Sequence, residues 1–342
     1  MLALTLRPLS EPVITFQPIV SVVIPVLDDF VRLRQCLDAL AAQTLPREQF
    51  EVLVVDNGSR SDPWQELRGY GFVRVLQEHS PGSYAARNTG LAEVRGEIVA
   101  FTDSDCVPAP QWLEAGVEAV RRRGPEIVVG GRVELFAEDP QRPTLAEEFE
   151  LALGFSQERY VNVRHYSVTA NMFTTPQTFA RVGGFDARLR SGGDKQWGNR
   201  AHAAGVPLHY CPAALVRHPA RRSMDELFRK RARVVGGHLS LARSKYPRWV
   251  AFSLVLGKAC APPLARMTRV RPVESVNSKP PRSDVPATAE GFAGTNHQNA
   301  SGKSSRWGRI RRMARVGFVG VSLQAFSALE VVRLQLGKPP TR

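Results

Sequence analysis

Cysteine is scarce in this chain of 342 residues. Cys36, Cys106, Cys211 and Cys260 lie far apart, with no CxxC pair and no zinc-ligand spacing. That excludes a disulfide scaffold and a thiolate zinc site, and it points to reduced thiols in a cytosolic setting. Long hydrophobic runs are missing too. The uncharged stretch 316–329 has 14 residues, short of the roughly 20 that a membrane-spanning helix needs. Residues 250–265 are broken by Lys258 and Pro262-Pro263. The start, MLALTLRPLSEPVITF, has no early basic cluster, no sustained apolar core and no small-residue cleavage site, so no signal peptide is expected. Internal repeats are absent. Acidic residues run short in one region only: residues 217–342 hold 25 Lys+Arg and 6 Asp+Glu (+19), against 21 and 26 (−5) in residues 1–216. A mildly acidic front with a strongly basic back implies a polyanionic partner for the tail: nucleic acid, an anionic membrane surface or phosphorylated lipid.

What is present, from Val20 onward, is an alternation of strand and helix signals. The runs IVSVVIP, FEVLVVD, FVRVLQE, EIVAFTD and PEIVVGG read as buried strands. Between them, Phe30, Leu33, Leu37 and Leu40 recur at helical spacing, and SYAARNTGLAEV and APQWLEAGVEAVRRRG read as helices. The alternation predicts an α/β fold with a doubly wound, mainly parallel sheet. After Gly131 the pattern loosens. LAEEFELALGFSQERY reads as a helix, VTANMFTTPQTFARVGGFD as a short strand, a turn and a small helix, GGDKQWGNRAHAAG as a helix and VPLHYCP as a strand. Residues 225–245 form a basic amphipathic helix, and residues 270–305, rich in Pro, Ser, Asn and Gly, read as disordered.

In open α/β sheets, ligands bind beyond the carboxyl ends of the strands. Those ends carry Pro25-Val26-Leu27-Asp28, Asp56-Asn57-Gly58-Ser59 and Asp103-Ser104-Asp105. Any one of them reads equally well as a turn, since Asp, Asn and Ser bond to nearby backbone. Three on one sheet edge favour a site.

The blocks SVVIPVLDD, EVLVVDNGSRSD, GSYAARNTGL, AFTDSDC, RVGGFD, GGDKQWGNR and ALVRH occur in this order over residues 20–220. In this they resemble the family-2 glycosyltransferases of the GT-A fold. The resemblance implies an inverting transfer of a sugar from a nucleotide-diphosphate donor to an acceptor hydroxyl, assisted by Mg2+ or Mn2+. A hard divalent cation with carboxylate ligands suits a diphosphate leaving group, which gains negative charge as its bond breaks. By position in the family blocks, Asp105 binds the metal, Asp103 contacts the ribose or a metal-bound water, and His218 completes the metal site. Pro25, Val26, Asp28, Asp56, Asn57, Ser59, Arg87, Asn88, Asp103 and Ser104 fall on the donor side. Asp56 matches the aspartate that reads the base, usually uracil, so UDP is the favoured carrier. Asp56 also suits an Asx-turn, and Asn57 stands where the family often has a second Asp.

The general base matches Asp194, with Arg200 six residues on, while Gly193 replaces the usual Glu. Asp194 equally suits a helix N-cap. Gly184 and Phe185 belong to the loop that shapes the acceptor side, and Trp197 reads as a sugar-stacking platform or a core residue.

The expected organisation is an N-terminal extension (1–19), the GT-A domain (20–220), a basic helical segment (221–269), a disordered linker (270–305) and a basic amphipathic helix (306–342). The five arginines of RWGRIRRMAR beside an apolar run suit a helix lying in an anionic membrane interface. The expected location is cytoplasmic and peripheral on the cytoplasmic membrane face. Expected partners are the nucleotide sugar, an acceptor sugar or lipid-linked glycan and that surface. The setting is cell-surface polysaccharide, glycolipid or glycoconjugate synthesis. The rivals are a non-catalytic nucleotide-sugar-binding relative, a nucleotidyltransferase and a basic-tailed nucleic-acid-binding protein. VVIPVLDDF lacks the Gly-rich basic loop of the nucleotidyltransferases. No helix-turn-helix, RNP or zinc motif is present, so no nucleic acid is expected.

Overall fold

The computed structural model describes the backbone of residues 17–260 and 301–338 and the side chains of 17–259 and 314–338. Eight strands form one sheet: β1 (Val20–Val26), β2 (Phe50–Asp56), β3 (Val73–Gln77), β4 (Ile98–Thr102), β5 (Val107–Pro108), β6 (Val128–Phe136), β7 (Asn171–Thr174) and β8 (Leu208–Pro219). Their order across the sheet is β3-β2-β1-β4-β7-β6-β8-β5. The first four are parallel neighbours, with Val22 opposite Val52 and Ala100.

The sheet is mixed beyond β4. β7 runs antiparallel to both β4 and β6, β5 is antiparallel to β8, and only β6–β8 is parallel in that half. The α/β, doubly wound expectation holds, with this correction to its parallel character. Strand direction is set by how the chain returns to the sheet, and a segment as short as the four residues of β7 carries no mark of it.

β1 alternates between two cores. Val22 and Ile24 face one layer, with Leu33, Leu37 and Leu40 of α1 (Phe30–Ala41) and Trp112, Leu113 and Val117 of α4 (Trp112–Arg121). Val23 faces the other, with Tyr84 and Ala86 of α3 (Ser83–Ala92), Phe179 of α7 (Pro176–Val182) and Trp197 of α8 (Gly193–Ala203). A strand covered on both faces is mostly apolar, and here the one polar residue, Ser21, is buried with its hydroxyl donating to Glu51 at 2.7 Å. A single turn, α2 (Pro63–Glu66), lies between β2 and β3.

The stretch expected as one helix from Leu145 is two, α5 (Leu145–Leu153) and α6 (Gln157–Arg164). Gly154 separates them at φ 62, a left-handed conformation that glycine adopts without strain. A capping box of Thr144 and Glu147 starts α5, and one of Ser223 and Glu226 starts the long α9 (Met224–Arg243). α10 (Arg248–Cys260) follows, and α11 (Ser301–Gln335) returns to pack on α5, α9 and α10. Its Val319 and Leu323 meet Ala146 and Leu227, and its Val331 meets Val235 and Leu239. Most of the expected linker 270–305 lies outside the described residues; residues 301–305 are in α11. Ala314–Gln335 is long and apolar enough to cross a membrane by length and composition, with 33% of its most apolar window buried against the protein. The 14-residue run understated this, because the helix continues past Glu330 and Arg333 with apolar residues between them.

Candidate active site

β2, β1 and β4 are adjacent and parallel, so their carboxyl ends deliver Asp56, Asp28 and Asp103 to one edge. The first two are consumed locally. Asp56 is buried, and its carboxylate accepts hydrogen bonds from the amides of Ser59 (3.1 Å) and Gly58 (3.3 Å), an Asx-turn. Asp28, at φ 56, accepts from the Arg60 amide at 2.8 Å and the Arg60 Nε at 3.1 Å, which hold its carboxyl below the usual range. The Ser59 hydroxyl accepts from the Asp28 amide at 2.9 Å. Asn57 pins the next loop, donating to the carbonyls of Glu78 and Ser80 and accepting from the Gly82 amide at 2.7 Å.

Asp103 and Asp105 have a different setting. They meet His218 of β8 and Cys106, with one ligand atom from each within 4.8 Å of the others. His218 Nδ1 lies 2.8 Å from the Pro219 carbonyl, which can only accept, so Nδ1 carries the hydrogen. Nε2 is then the nitrogen that faces Asp105 Oδ1, at 3.7 Å. An imidazole locked in this tautomer by a backbone carbonyl beside two carboxylates fits a divalent cation. Burial pushes Asp105 up, with His218 opposing. The Cys106 thiol is buried and pushed well up, with its sulfur 4.0 Å from the Ala170 carbonyl, so it stays a neutral thiol rather than a ligand for a hard ion.

Arg87, almost wholly buried in α3, ion-pairs with Asp103 and donates to the Ser83 carbonyl at 3.2 Å; its Nε has no protein partner. Asp194, in the first turn of α8, accepts from the Lys195 amide at 2.8 Å and the Tyr84 hydroxyl at 3.3 Å. Burial raises its carboxyl, while Arg87 pulls the other way. The helix is capped by Gly192, so Asp194 is not its N-cap. These groups line one cleft of roughly 1230 Å³ that also takes in Pro25, Val26, Asn57 and Ser104.

The model of glycosyl transferase family 2 matches residues 21–191. This chain is a family-2 glycosyltransferase. It is 38% identical over 229 residues to Glycosyltransferase AglE of Haloferax volcanii, covering 66% of this chain and 74% of that one. It is 30% identical over 250 residues to a pre-mycofactocin glycosyltransferase of Mycobacterium tuberculosis, covering 70% of this chain and 51% of that protein. A solved structure titled mannosyltransferase PcManGT from Pyrobaculum calidifontis, in complex with GDP-Man and Mn2+, superposes with TM-score 0.58 over 95% of this chain and 89% of its own. At 18% identity that likeness speaks for the GT-A fold.

Several residues expected in the site of this glycosyltransferase serve elsewhere. Asp28, Asp56 and Ser59 stitch the strand-end loops together and do not themselves line the cleft. Asn88 exchanges two 2.9 Å hydrogen bonds with the backbone of Phe185, so it ties α3 to the loop that carries Gly184 and Phe185. A Cβ on Gly184 would stand 2.9 Å from the Asn88 side-chain oxygen, which is why glycine fits there. Phe185 is buried among Tyr84, Phe101, Phe179 and Trp197. Trp197 is 0% exposed and donates to the Gly183 carbonyl at 2.8 Å, so it is a core residue and offers no face to a sugar. Arg200 braces the same loop through the Val182 and Gly184 carbonyls.

Two groups of site residues went unread in the sequence. One is Tyr84, in a block already quoted. A Cβ on Gly193 would lie 2.7 Å from its ring, so the tyrosine fills the space where the family's usual Glu would begin. The other is basic. Arg221, Lys230 and Arg233 line the cleft from the β8–α9 turn and α9. Arg221 and Lys230 close on buried Glu150. Burial alone would raise that carboxyl, but the two cations outweigh it and hold it low. The charge run FRKRAR was the available signal. It reads equally as a solvated helix face until the fold shows where it points.

Proposed function

We propose that the chain transfers a sugar with inversion from a nucleoside-diphosphate sugar to an acceptor hydroxyl. The observation that carries this is the single cleft in which Asp194 stands apart from the Asp103–Asp105–His218 cluster, with Arg87 between them. Asp194 takes the acceptor proton, and its burial and its bond from Tyr84 hold it ready. Arg87 fixes the Asp103 carboxylate and keeps Nε free of protein partners beside the donor path. Asp103, Asp105 and His218 would hold Mg2+ or Mn2+, which supplies charge neutralisation to the departing diphosphate. PcManGT, with GDP-Man and Mn2+ in its title, supports that donor class. The expected preference for UDP rests on Asp56, whose oxygens already serve the 57–59 turn.

The test is thermal stabilisation by UDP- and GDP-sugars with Mn2+. Asp105→Asn should abolish the metal-dependent stabilisation while leaving the unliganded melting temperature near wild type. Unchanged nucleotide affinity in that variant overturns the metal assignment.

We propose also that the protein sits peripherally on the cytoplasmic face of an anionic membrane, in glycolipid, polysaccharide or glycoconjugate synthesis. α11 buries one face on the domain, where Ser327 accepts from Arg231, and leaves Phe318, Val321, Leu329 and Val332 exposed. α10 adds exposed Trp249 and Leu254. A helix docked on one side and apolar on the other suits an interface, and nearby basic residues add about 1 kcal/mol each at an anionic surface. The intact protein should sediment with phosphatidylserine-containing vesicles. Phe318→Ser with Val321→Ser should weaken this, and high salt should remove only part of it, because buried apolar surface is not screened. A protein that stays in the supernatant overturns this reading.

A further inference from the structure

The cleft walls carry nine basic and five acidic side chains. On the donor reading above, a divalent cation and a diphosphate nearly cancel, so the positive excess remains after the donor has bound. The excess divides into two places. Arg221 and Lys230 close on Glu150, and Arg233 feels the fields of Asp103 and Asp105, which places it on the metal side. Three further cations come from three different helices: Arg164 in the last turn of α6, Lys195 next to Asp194 in α8, and Lys258 near the end of α10. All three line the same cleft as Asp194, and none forms an ion pair among the described residues. Burial pulls the Lys195 ammonium down, and Arg164, Lys258 and Lys245 lower it further by repulsion, with Asp194 opposing weakly. Like charges gathered without a counter-ion are costly unless an anion joins them.

The cleft also has an apolar stretch, formed by Leu153 and Phe155 at the α5–α6 break and by Val316 and Leu323 of α11. Leu153 is 40% exposed, as no core residue would be. A cation cluster and an apolar wall in one cleft match a molecule with an anionic head and an apolar chain. Phosphate suits the head, because its several oxygens can serve an arginine fork and two point-charge lysines together.

We propose that Arg164, Lys195 and Lys258 form a subsite for a phosphate carried by the acceptor, and that the Leu153–Phe155–Val316–Leu323 wall takes the lipid chain attached to it. The subsite sits beside the general base, so it would bring the acceptor's hydroxyl to Asp194. The proposal rests on the transferase reading of Asp194 and deepens it to a phospholipid-type acceptor.

The test uses the full chain and three probes: decyl phosphate below its micelle concentration, decanol and inorganic phosphate. Binding is followed by calorimetry with UDP or GDP and Mn2+ already present. Decyl phosphate should bind at least tenfold more tightly than either of the other probes, without displacing the nucleotide. Arg164→Gln with Lys258→Gln, both exposed and so compatible with folding, should weaken decyl phosphate at least tenfold and leave decanol and nucleotide binding unchanged. Wild-type affinity in that variant, or displacement of the nucleotide by decyl phosphate, overturns the subsite. Inorganic phosphate binding as tightly as decyl phosphate overturns the lipid part. Failure of the wild type to bind any nucleoside diphosphate with Mn2+ falls on the donor reading instead.

Discussion

The two halves of the sheet treat their charges in opposite ways. On the β3-β2-β1 side, backbone amides close Asp56 within its own loop, the Arg60 amide of the next strand-end loop closes Asp28, and Asn57 is closed by backbone of the loop after β3. On the β7-β6-β8 side and the helices after it, charged groups face one another across the cleft. Asp105 faces His218, Glu150 faces Arg221 and Lys230, and Lys195 stands among other cations. The first half is a self-satisfied scaffold that fixes loop shape. The second leaves its fields open for ligands. The parallel half can afford local closure because its strand ends stand side by side, whereas the other half is assembled from segments distant in sequence.

The largest effect that would break this contrast is at Asp194. Asp194→Asn should lower transfer by about 10²-fold or more, the usual scale for a general base, with nucleotide affinity kept. Its carboxyl is raised by burial, so the folded state holds that proton more tightly than the unfolded chain does. The folded state is therefore disfavoured as pH climbs past the unfolded value near 4, and fully so above the folded value. Asparagine has no such penalty, and its oxygen can still accept from Lys195 and Tyr84. The variant should melt higher than wild type at pH 8, and the advantage should vanish below about pH 4. Equal melting curves at pH 8 would show that the site stores no such strain.

Glu150 carries the opposite sign. Its carboxyl is held low, so its stabilisation is present above the unfolded value and is lost as pH falls through the folded one. Glu150→Gln would leave Arg221 and Lys230 facing each other and should cost about 3 kcal/mol, the low end for breaking a buried pair because Lys230 is partly exposed. Urea unfolding at a series of pH values from 7 downward measures both the loss and its decline as Glu150 becomes protonated. A third variant, Gly193→Ala, should cost about 1–3 kcal/mol by crowding the Tyr84 ring. A double-mutant cycle with Tyr84→Ala should recover part of that cost, and no coupling would show that Tyr84 is not what excludes a side chain at 193.

The contrast also explains what could be read in advance. β2 was legible to the residue, as FEVLVVD, because a strand buried on both faces is nearly all apolar, with Glu51 as the exception, and ends at its Asp. Asp103, Asp105 and His218 were legible because their blocks fix them by position. The direction of β7, the break at Gly154 and the burial of Trp197 were not, since each depends on partners more than ten residues away or on a single φ angle. Tyr84 was in plain view but had no meaning until Gly193 stood against it. The lesson is uneven: local closure leaves a local signature, and cross-cleft electrostatics leave none until the chain folds.

The smallest expected effect is the sharpest test of the scaffold half. Asp56 is 3% exposed and accepts from Ser59 and Gly58, with Gly58 at φ 89. If it is only a turn residue, Asp56→Asn keeps an oxygen for the Ser59 amide and should cost about 1 kcal/mol, the scale of one hydrogen bond. UDP affinity with Mn2+ should then change less than about threefold, because about 1.4 kcal/mol is needed for tenfold and Asp56 itself does not line the cleft. If Asp56 also reads the base, UDP affinity should fall more than tenfold while thermal stability barely moves. GDP affinity shows whether the carboxylate reads uracil's N3–H alone or also accepts from the N1–H and N2–H of guanine. Calorimetric titration of both nucleotides against the same variant separates the two outcomes, and a selective loss for UDP would move Asp56 out of the scaffold and into the open half of the comparison.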